Sequence, residues 1–162
     1  SNRLLSRAPT VAVLSTLSAT EIAKLIYPAG FYRTKSRQLS QISTILMGKF
    51  AGDVPDSLSL LLTLPGVGRK TANLVLGLGF GIPAICVDTH VHRICNRLGW
   101  VSTRSPDDTE YSLMNFLPRD HWISINSVLV RYGQEVCTPV SPHCSQCEAR
   151  NICERSGVRN HR

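Results

Sequence analysis

Hydrophobic positions recur every three or four residues along most of the chain, and this spacing predicts a series of short α-helices. Ser18 and Glu21 have the spacing of a capping box, which predicts a helix that ends before Pro28. A longer helix follows and ends before Gly52 and Pro55. Its apolar face consists of Leu39, Ile42, Leu46 and Phe50.

The second half of the chain repeats this pattern. A leucine-rich run stops at Pro65, while Asp88 is a predicted N-cap and Gly99 a predicted C-terminal stop of one helix. The predicted helices cover residues 57–64, 69–79, 88–99, 105–117 and 122–135. Because almost no segment alternates with the period of a strand, the sequence predicts a compact all-α protein.

The net charge and the cysteine content restrict the kind of partner that the chain can bind and the compartment in which it works. The 162 residues carry 18 Lys and Arg against 11 Asp and Glu, giving a net charge of +7, which suits an anionic partner without proving a nucleic acid. The longest apolar stretch, residues 74–87, is broken by glycines and a proline, so no membrane span is predicted. With no export signal, we expect reduced thiols and a cytoplasmic protein.

The segment Leu64-Pro-Gly-Val-Gly-Arg-Lys70 lies between two predicted helices. Two glycines one residue apart permit a tight turn and leave backbone amides uncovered where the next helix begins. Arg69 and Lys70 follow at once, although cations at a helix N-terminus oppose its dipole. These features favour a phosphate-binding hairpin over a plain turn between helices.

Four cysteines end the chain with six, two and five residues between successive members. They are Cys137, Cys144, Cys147 and Cys153. Four thiols within so short a segment predict one metal centre. The spacing alone does not exclude zinc, but a structural zinc site more often pairs two Cys-x-x-Cys knuckles, and only one occurs here. Cys86 and Cys95 lie in apolar stretches and are predicted to be buried in the core.

Three motifs in one order resemble the endonuclease III family of DNA glycosylases. They are residues 64–73 (LPGVGRKTAN), residues 87–93 (VDTHVHR) and the cysteine ladder, and Gly30-Phe-Tyr-Arg-Thr-Lys35 upstream is also similar. The resemblance implies a helix-hairpin-helix at about residues 57–79, a helical barrel domain over 1–100 and an iron-sulfur cluster domain over 101–162. It also implies that N-terminal helices and a glutamine-bearing loop precede the segment present here, so this chain alone is expected to be weak or inactive.

By the same resemblance, Lys70 falls on the nucleophilic lysine and Asp88 on its partner aspartate. The four ladder cysteines would hold a [4Fe-4S] cluster. The hairpin residues expected to contact DNA are Leu64, Gly66, Val67, Gly68 and Arg69. The implied partner is double-stranded DNA with a damaged base or an abasic site, bound by a monomer associated with the nucleoid.

An amine nucleophile suits this chemistry for a physical reason. Its attack at the sugar C1′ displaces the base and leaves an imine, which acidifies the C2′ hydrogen and permits β-elimination of the 3′ phosphate. Lys70 therefore predicts a combined glycosylase and AP lyase, with oxidised pyrimidines as the expected lesions. The alternatives are a non-catalytic iron-sulfur DNA-binding module and a mismatch-specific glycosylase of the same superfamily.

Several other polar residues have plainer interpretations. His90 and His92 diverge on a helix and are poorly placed to share a metal, so His90 is at most a pocket-lining residue. Arg93 and Arg97 lie on one helix face, where phosphate contact and a solvated face are equally consistent with the spacing. The basic tail, residues 155–162, is expected to be disordered.

Overall fold

The computed structural model describes residues 2–162 and contains no β-strand within that range. Short helices joined by short loops account for the fold, which confirms the predicted all-α class. The α-helices are α1 (Asn2–Arg7), α2 (Val11–Ser15), α3 (Ala19–Ile26), α4 (Tyr32–Lys49), α5 (Leu58–Leu61), α6 (Arg69–Phe80), α7 (Thr89–Leu98), α8 (Pro106–Met114) and α9 (Ser124–Glu135). Three 3₁₀-helices cover Arg119–His121, Cys144–Gln146 and Glu148–Asn151.

The N-terminal unit ends at Gly68. Its helices α2 and α3 both pack on the long helix α4. The apolar centre is formed by Ala8, Leu17, Ile22 and Ile26. The predicted capping box is confirmed: the Ser18 hydroxyl accepts from the Glu21 N–H at 3.2 Å, and the Glu21 carboxylate accepts from the Ser18 N–H at 2.8 Å.

The C-terminal unit covers Arg69–Arg162 and is built around α7. This helix packs on α8 and α9, and its apolar face lies in a core that also contains residues of the extended segment before it. The core consists of Ile85, Val87, Val91, Ile94, Cys95, Leu98, Val101, Leu113, Ile125 and Leu129. Both predicted ends of α7 are confirmed, since Asp88 is its N-cap and Gly99, with φ of 79°, its C-cap.

Three element predictions need correction. The helix predicted over 57–64 is reduced to the four residues of α5, because the chain turns repeatedly from Leu62 to the hairpin. The helix predicted to reach Leu117 ends at Met114, and the last long helix begins at Ser124 after a 3₁₀ turn. These differences lie at helix ends, where local turns compete closely with another helical residue.

The C-terminal tail is ordered, contrary to the prediction of disorder. The Arg162 N–H donates to the Pro142 carbonyl at 2.8 Å, and the Arg162 carbonyl accepts from the Ser145 N–H at 2.9 Å. The Arg162 side chain donates to the Ser141 carbonyl at 3.2 Å. These bonds return the tail to the segment that carries Cys144, which no local sequence pattern indicates.

The sequence predicts a domain boundary at residue 100, whereas packing divides the chain after Gly68. Residues on both sides of position 100 share the core of the C-terminal unit, as Leu98 and Val101 show. The division into a barrel domain and a cluster domain therefore stays a prediction. None of the helices within residues 2–162 combines the length and the apolar character that crossing a bilayer requires.

Candidate active site

The hairpin segment Leu64–Gly68 ends the N-terminal unit in a tight turn. The Val67 N–H donates to the Leu64 carbonyl at 3.1 Å, and Gly66 has a φ of 75°. A Cβ added at Gly66 would lie 2.3 Å from the Gln38 side chain. Gly66 is therefore required by both its backbone conformation and its neighbour. A Cβ at Gly68 would meet no atom within 4 Å, so its backbone faces open space.

Helix α6 begins the C-terminal unit with Arg69 and Lys70. The Arg69 guanidinium forms a two-pronged ion pair with Glu110, at 3.1 Å from Nε to Oε2 and 2.5 Å from Nη2 to Oε1. Glu110 is only 4% exposed, and Arg69 also stacks on the Tyr111 ring at 4.8 Å. Hydrogen bonding to Glu110 raises the pKa of Arg69. The sequence suggested that Arg69 was available to a phosphate, but here its charge is already paired, whereas the adjacent Lys70 is exposed.

Asp88 is held by the helix that it begins. Its Oδ1 accepts from the His90 N–H at 2.8 Å and from the Val91 N–H at 2.9 Å. Two donors from a helix N-terminus stabilise the ionised carboxylate. Both hydrogen bonds end on one oxygen, and within residues 2–162 no hydrogen bond to Oδ2 is found. The N-cap role predicted from the sequence thus leaves one carboxylate oxygen for another task.

Two asparagine side chains hold the extended segment that leads into Asp88. Asn73 on α6 donates to the Ile85 carbonyl at 2.9 Å, and Asn126 on α9 donates to the Cys86 carbonyl at 3.0 Å. Asn73 is 3% exposed, so a lost partner would leave a buried polar group unsatisfied. Since Asn73 lies one helical turn after Lys70, the helix that carries Lys70 is tied directly to the segment that carries Asp88.

The pKa of the buried Cys86 thiol is affected by both candidate catalytic residues. Burial raises its pKa most strongly; the Lys70 charge opposes that rise, while Asp88 and Glu110 add to it. Lys70 and Asp88 therefore lie within electrostatic reach of one side chain. Both residues belong to the C-terminal unit, although eighteen positions separate them in the sequence.

Arg93 connects α7 with the start of the cysteine ladder. Its Nη2 donates to the Gly133 carbonyl at 3.2 Å and to the Cys137 carbonyl at 2.8 Å, and it lies 3.2 Å from His90 Nδ1. Gly133 permits this approach, because a Cβ there would lie 2.4 Å from that same His90 nitrogen. These contacts argue against a solvated face for Arg93, whereas the predicted phosphate contact stays a prediction.

Arg97 makes a similar set of contacts one turn later. Its guanidinium donates to the carbonyls of Thr138 at 2.7 Å and Pro139 at 2.8 Å, and lies 3.3 Å from the Cys137 sulfur. A solvated face is therefore also disfavoured for Arg97, and its predicted phosphate contact stays a prediction. Five donors in a planar fork allow one arginine to satisfy several loop carbonyls, and spacing along α7 could not reveal those distant partners.

The four ladder cysteines line a single cavity and all are free thiols. Ile94, Leu98 and Val158 contribute apolar walls. Burial raises the pKa of the Cys144 thiol; the Arg155 charge opposes the rise, whereas Cys147, Cys137 and Cys153 add to it. The charges of the other three thiols therefore act on Cys144 within the same cavity. Within residues 2–162, however, no three His, Cys, Asp or Glu side chains are grouped as ligands of one metal ion.

Hydrogen-bond donors approach three of these sulfurs. The Tyr132 hydroxyl lies 2.8 Å from Cys147 Sγ, and the Arg155 N–H donates to Cys153 Sγ at 3.4 Å. Arg97 approaches Cys137, as described above. Donors directed at sulfur stabilise thiolates and are usual around iron-sulfur clusters. The donor set and the apolar walls fit a thiolate-bound cluster.

Several residues that shape the site carry no sequence signal of their own. Glu110, Asn126 and Tyr132 act on elements far from them in sequence, so their partners could not be inferred from periodicity. Asn73 lies inside a recognised motif, but nothing in the motif indicates its bond to Ile85. His92, set aside as a ligand, lies 2.7 Å from the Thr109 hydroxyl through Nδ1.

Comparison with known proteins gives a family match over most of the chain. The family model for the HhH-GPD superfamily, base excision DNA repair proteins, matches residues 1–119. Endonuclease III of Thermotoga maritima is 49% identical over 154 residues, which are 95% of this chain and 72% of that protein. Endonuclease III homolog 1, chloroplastic, of Arabidopsis thaliana is 47% identical over 140 residues, but the chain covers only 37% of its length.

A solved structure is similar as well. The structure of a trapped endonuclease III–DNA covalent intermediate matches with a TM-score of 0.89 at 35% identity, over 95% of this chain and 73% of that one. The chain thus spans about three quarters of that structure and of the bacterial relative, and well under half of the plant relative.

Proposed function

Because the chain belongs to the HhH-GPD superfamily of base excision DNA repair proteins and, within it, to the endonuclease III family, we propose that it is a DNA glycosylase with AP lyase activity. The observation that supports this most directly is the linkage of Lys70 to Asp88. Both charges act on the buried Cys86 thiol, and Asn73 ties the two segments together. An exposed amine and a half-buried carboxylate with a free oxygen are the groups that the reaction needs.

Lys70 supplies the nucleophile. Its amine attacks C1′ of the damaged nucleotide, the base leaves with its bonding electrons and a proton, and the sugar ring opens to an imine on Nζ. The imine draws electrons from C2′, so a proton is lost there and the 3′ phosphate departs. Glu110 pairs with Arg69, whereas no ion pair to Lys70 is found among residues 2–162.

Asp88 supplies negative charge beside the reacting carbon. Its Oδ1 is occupied by the α7 N–H groups, which fixes the carboxylate, and its Oδ2 is free to face C1′. Positive charge that develops at C1′ as the base leaves is stabilised by this carboxylate. The same oxygen can accept and return protons during base loss.

The hairpin supplies the contact with the DNA backbone. Leu64, Gly66, Val67 and Gly68 present a turn whose last glycine has no atom near its missing Cβ, so a phosphate can approach the backbone amides. Arg69 contributes mainly by holding α6 to Glu110. The partner is double-stranded DNA with a damaged base or an abasic site, bound by a monomer associated with the nucleoid in the cytoplasm.

The cofactor is a [4Fe-4S] cluster held by Cys137, Cys144, Cys147 and Cys153. Bound there, it supplies a rigid centre that fixes the surrounding loop. Arg93 and Arg97 connect α7, which Asp88 caps, with the backbone that carries the first of these cysteines. Tyr132 and Arg97 donate towards the sulfurs and so balance the negative charge of the thiolates.

Borohydride trapping on duplex DNA with a single abasic site tests the catalytic proposal. The unaltered chain is expected to form a covalent adduct, even at the low yield that weak activity gives, and Lys70→Ala to form none, because only a primary amine gives a reducible imine. Lys49→Ala removes an exposed lysine from the end of α4 and serves as the matched control, with adduct formation retained. DNA binding without an adduct in the unaltered chain would instead support a non-catalytic module.

The lesion class is tested with a panel of duplexes that carry one oxidised pyrimidine, one oxidised purine or one mismatched thymine. We expect base release to be fastest from the oxidised pyrimidines. Preference for the mismatched thymine would favour a mismatch-specific glycosylase of the same superfamily. If no duplex of the panel loses its base, an adduct on abasic DNA shows that the chain is active and that the panel lacks its lesion.

A further inference from the structure

The N-terminal unit has an open groove between α3 and α4 with a volume of about 540 Å³. This is within the usual range for binding sites of small ligands. We name it the α3–α4 groove, and the polar residues that line it include Thr20, Lys24, Tyr27, Tyr32, Arg33 and Arg37. It lies outside the C-terminal unit, which carries Lys70 and Asp88, and the hairpin residues do not line it.

The groove concentrates positive charge, and within residues 2–162 its two arginines have no ion-pair partner. Lys24 comes from α3, while Arg33 and Arg37 come from successive turns of α4, and all three are exposed. No ion pair to any of them is found within residues 2–162, and no acidic residue lines the groove. Glu21, whose charge acts on Lys24, already accepts the Ser18 N–H and hydroxyl.

This arrangement opposes two local preferences of a helix. Like charges one turn apart repel each other, as Arg33 and Arg37 do. The first turn of α4 also carries Arg33 and no acidic residue, although the helix dipole favours an anion there. Violations of local rules that no internal contact offsets are typical of sites that meet a ligand. Here the missing component is an anion.

Aromatic groups in the groove indicate which kind of anion fits. The Tyr27 ring is 57% exposed and meets Tyr32 edge to face at 5.4 Å. Arg33 lies 5.6 Å from the centre of the Tyr32 ring and donates to its hydroxyl at 3.1 Å, which restricts the guanidinium to the groove wall. A guanidinium held on an aromatic wall suits a phosphate with a sugar or base attached to it.

We propose that the α3–α4 groove binds backbone phosphates of the DNA substrate, as a second contact separate from the Leu64–Gly68 hairpin. This inference rests on the proposed function, which supplies DNA as the polyanion. Arg33 and Arg37 bind the phosphates, Lys24 adds charge from the opposite wall, and Tyr27 packs against the sugar.

The salt dependence of DNA affinity tests this proposal. The double variant Arg33→Gln/Arg37→Gln is compared with Lys49→Gln/Arg104→Gln, which removes the same charge from exposed positions outside the groove. The probe is a 20-base-pair duplex with one tetrahydrofuran abasic analogue, measured by fluorescence anisotropy. Each phosphate contact contributes about 0.9 to the slope of log K against log salt.

We expect the groove variant to lower that slope by about two and to weaken binding about 10-fold or more at 100 mM salt, with a smaller change in the control. Equal effects in the two variants would overturn the proposal. Deoxyadenosine monophosphate, titrated against ¹⁵N-labelled chain, provides the second arm. Shifts at Lys24, Arg33 and Arg37 together with an unchanged DNA slope would identify a free-nucleotide site and also overturn it.

The trapping assay and the salt dependence distinguish a failure of the enzymatic proposal from a failure of the groove proposal. Lys70 is unchanged in the groove variant, so borohydride trapping at saturating DNA is expected to proceed as in the unaltered chain. A lowered slope with no adduct in the unaltered chain would contradict the enzymatic proposal and leave the groove as a DNA contact. A normal adduct with no difference between the two double variants would contradict the groove alone.

Discussion

The two units of the chain use different kinds of interaction to hold their polar groups. In the N-terminal unit, most side-chain hydrogen bonds join residues three or four apart, as in the capping box at Ser18 and Glu21. In the C-terminal unit, side chains reach backbone carbonyls far away in sequence: Asn126 bonds Cys86 across 40 residues, and Arg93 bonds Cys137 across 44.

Long-range hydrogen bonds, rather than local ones, hold the segments of the candidate active site together. Local bonds set helix ends, and they need nothing beyond the neighbouring residues. Distant bonds bring Asp88, Lys70 and the cysteine ladder into one unit, which no local pattern can do. If the long-range bonds matter most for the reaction, their loss should slow catalysis, whereas loss of a local bond should lower only the stability.

The largest effect is expected from the cysteine ladder. Cys147→Ser removes one of the four proposed cluster ligands, so the iron content, about four per chain when intact, should fall sharply together with the brown colour. Hydrogen exchange should then accelerate in residues 137–158 and change little in α3 and α4. Cys95→Ala is the matched control, because this buried core cysteine does not line the cavity. Purified protein that holds zinc and no iron would refute the cluster assignment.

A smaller effect is expected from the bond between α6 and the segment before Asp88. Asn73→Ala leaves the buried Ile85 carbonyl without its partner, which costs about 1–3 kcal/mol of the free energy of unfolding. We also expect the single-turnover rate of imine formation to fall, because the helix that carries Lys70 loses its hydrogen bond to the segment before Asp88. Urea unfolding and rapid-quench trapping measure the two effects. The exposed Asn115, changed to Ala, is the control, and a normal rate in Asn73→Ala would show that the link is only structural.

Two substitutions of Asp88 test the role of its charge and its role as a helix cap separately. Asparagine is a good N-cap, so Asp88→Asn should change the free energy of unfolding by less than about 0.5 kcal/mol, whereas Asp88→Ala should cost about 1 kcal/mol. Base release should fall strongly in both variants, since both lack the carboxylate. Thermal unfolding and a glycosylase assay check the pair. Full activity in Asp88→Asn would mean that the residue acts only as a cap.

The smallest effect is expected in the N-terminal unit. Ser18→Ala removes one half of the capping box and should cost about 1 kcal/mol of the free energy of unfolding without changing trapping at saturating DNA.

Hydrogen bonds from the Ser18 side chain and backbone lower the pKa of Glu21. A lowered folded-state pKa gives stability above the unfolded-state pKa that is lost as pH falls through the folded one. Glu21→Gln should therefore destabilise the chain at pH 7 and lose this effect in acid, as denaturant unfolding at both pH values can show.

Much of the site could be predicted because its motifs are local. Asp88 and Gly99 were placed correctly as the two ends of α7, since capping depends on residues next to one another. The cysteine ladder pointed to one cavity because all four members lie in a short segment. The partners of Arg93, Arg97 and the tail could not be predicted, because each one binds a carbonyl that folding brings to it.

Local sequence patterns are enough to predict the all-α class, the helix ends at Ser18 and Asp88, the family and the candidate reactive pair of Lys70 and Asp88. They do not reveal that Arg69 is paired with Glu110, that Asn73 ties α6 to the segment before Asp88, or that Arg33 and Arg37 line a groove with Lys24. The two groups of features differ in the range of the interactions on which they depend. Periodicity and capping depend on residues within a few positions, whereas the pairing of a charge or a buried amide depends on which distant backbone or side chain the packing brings within about 3 Å.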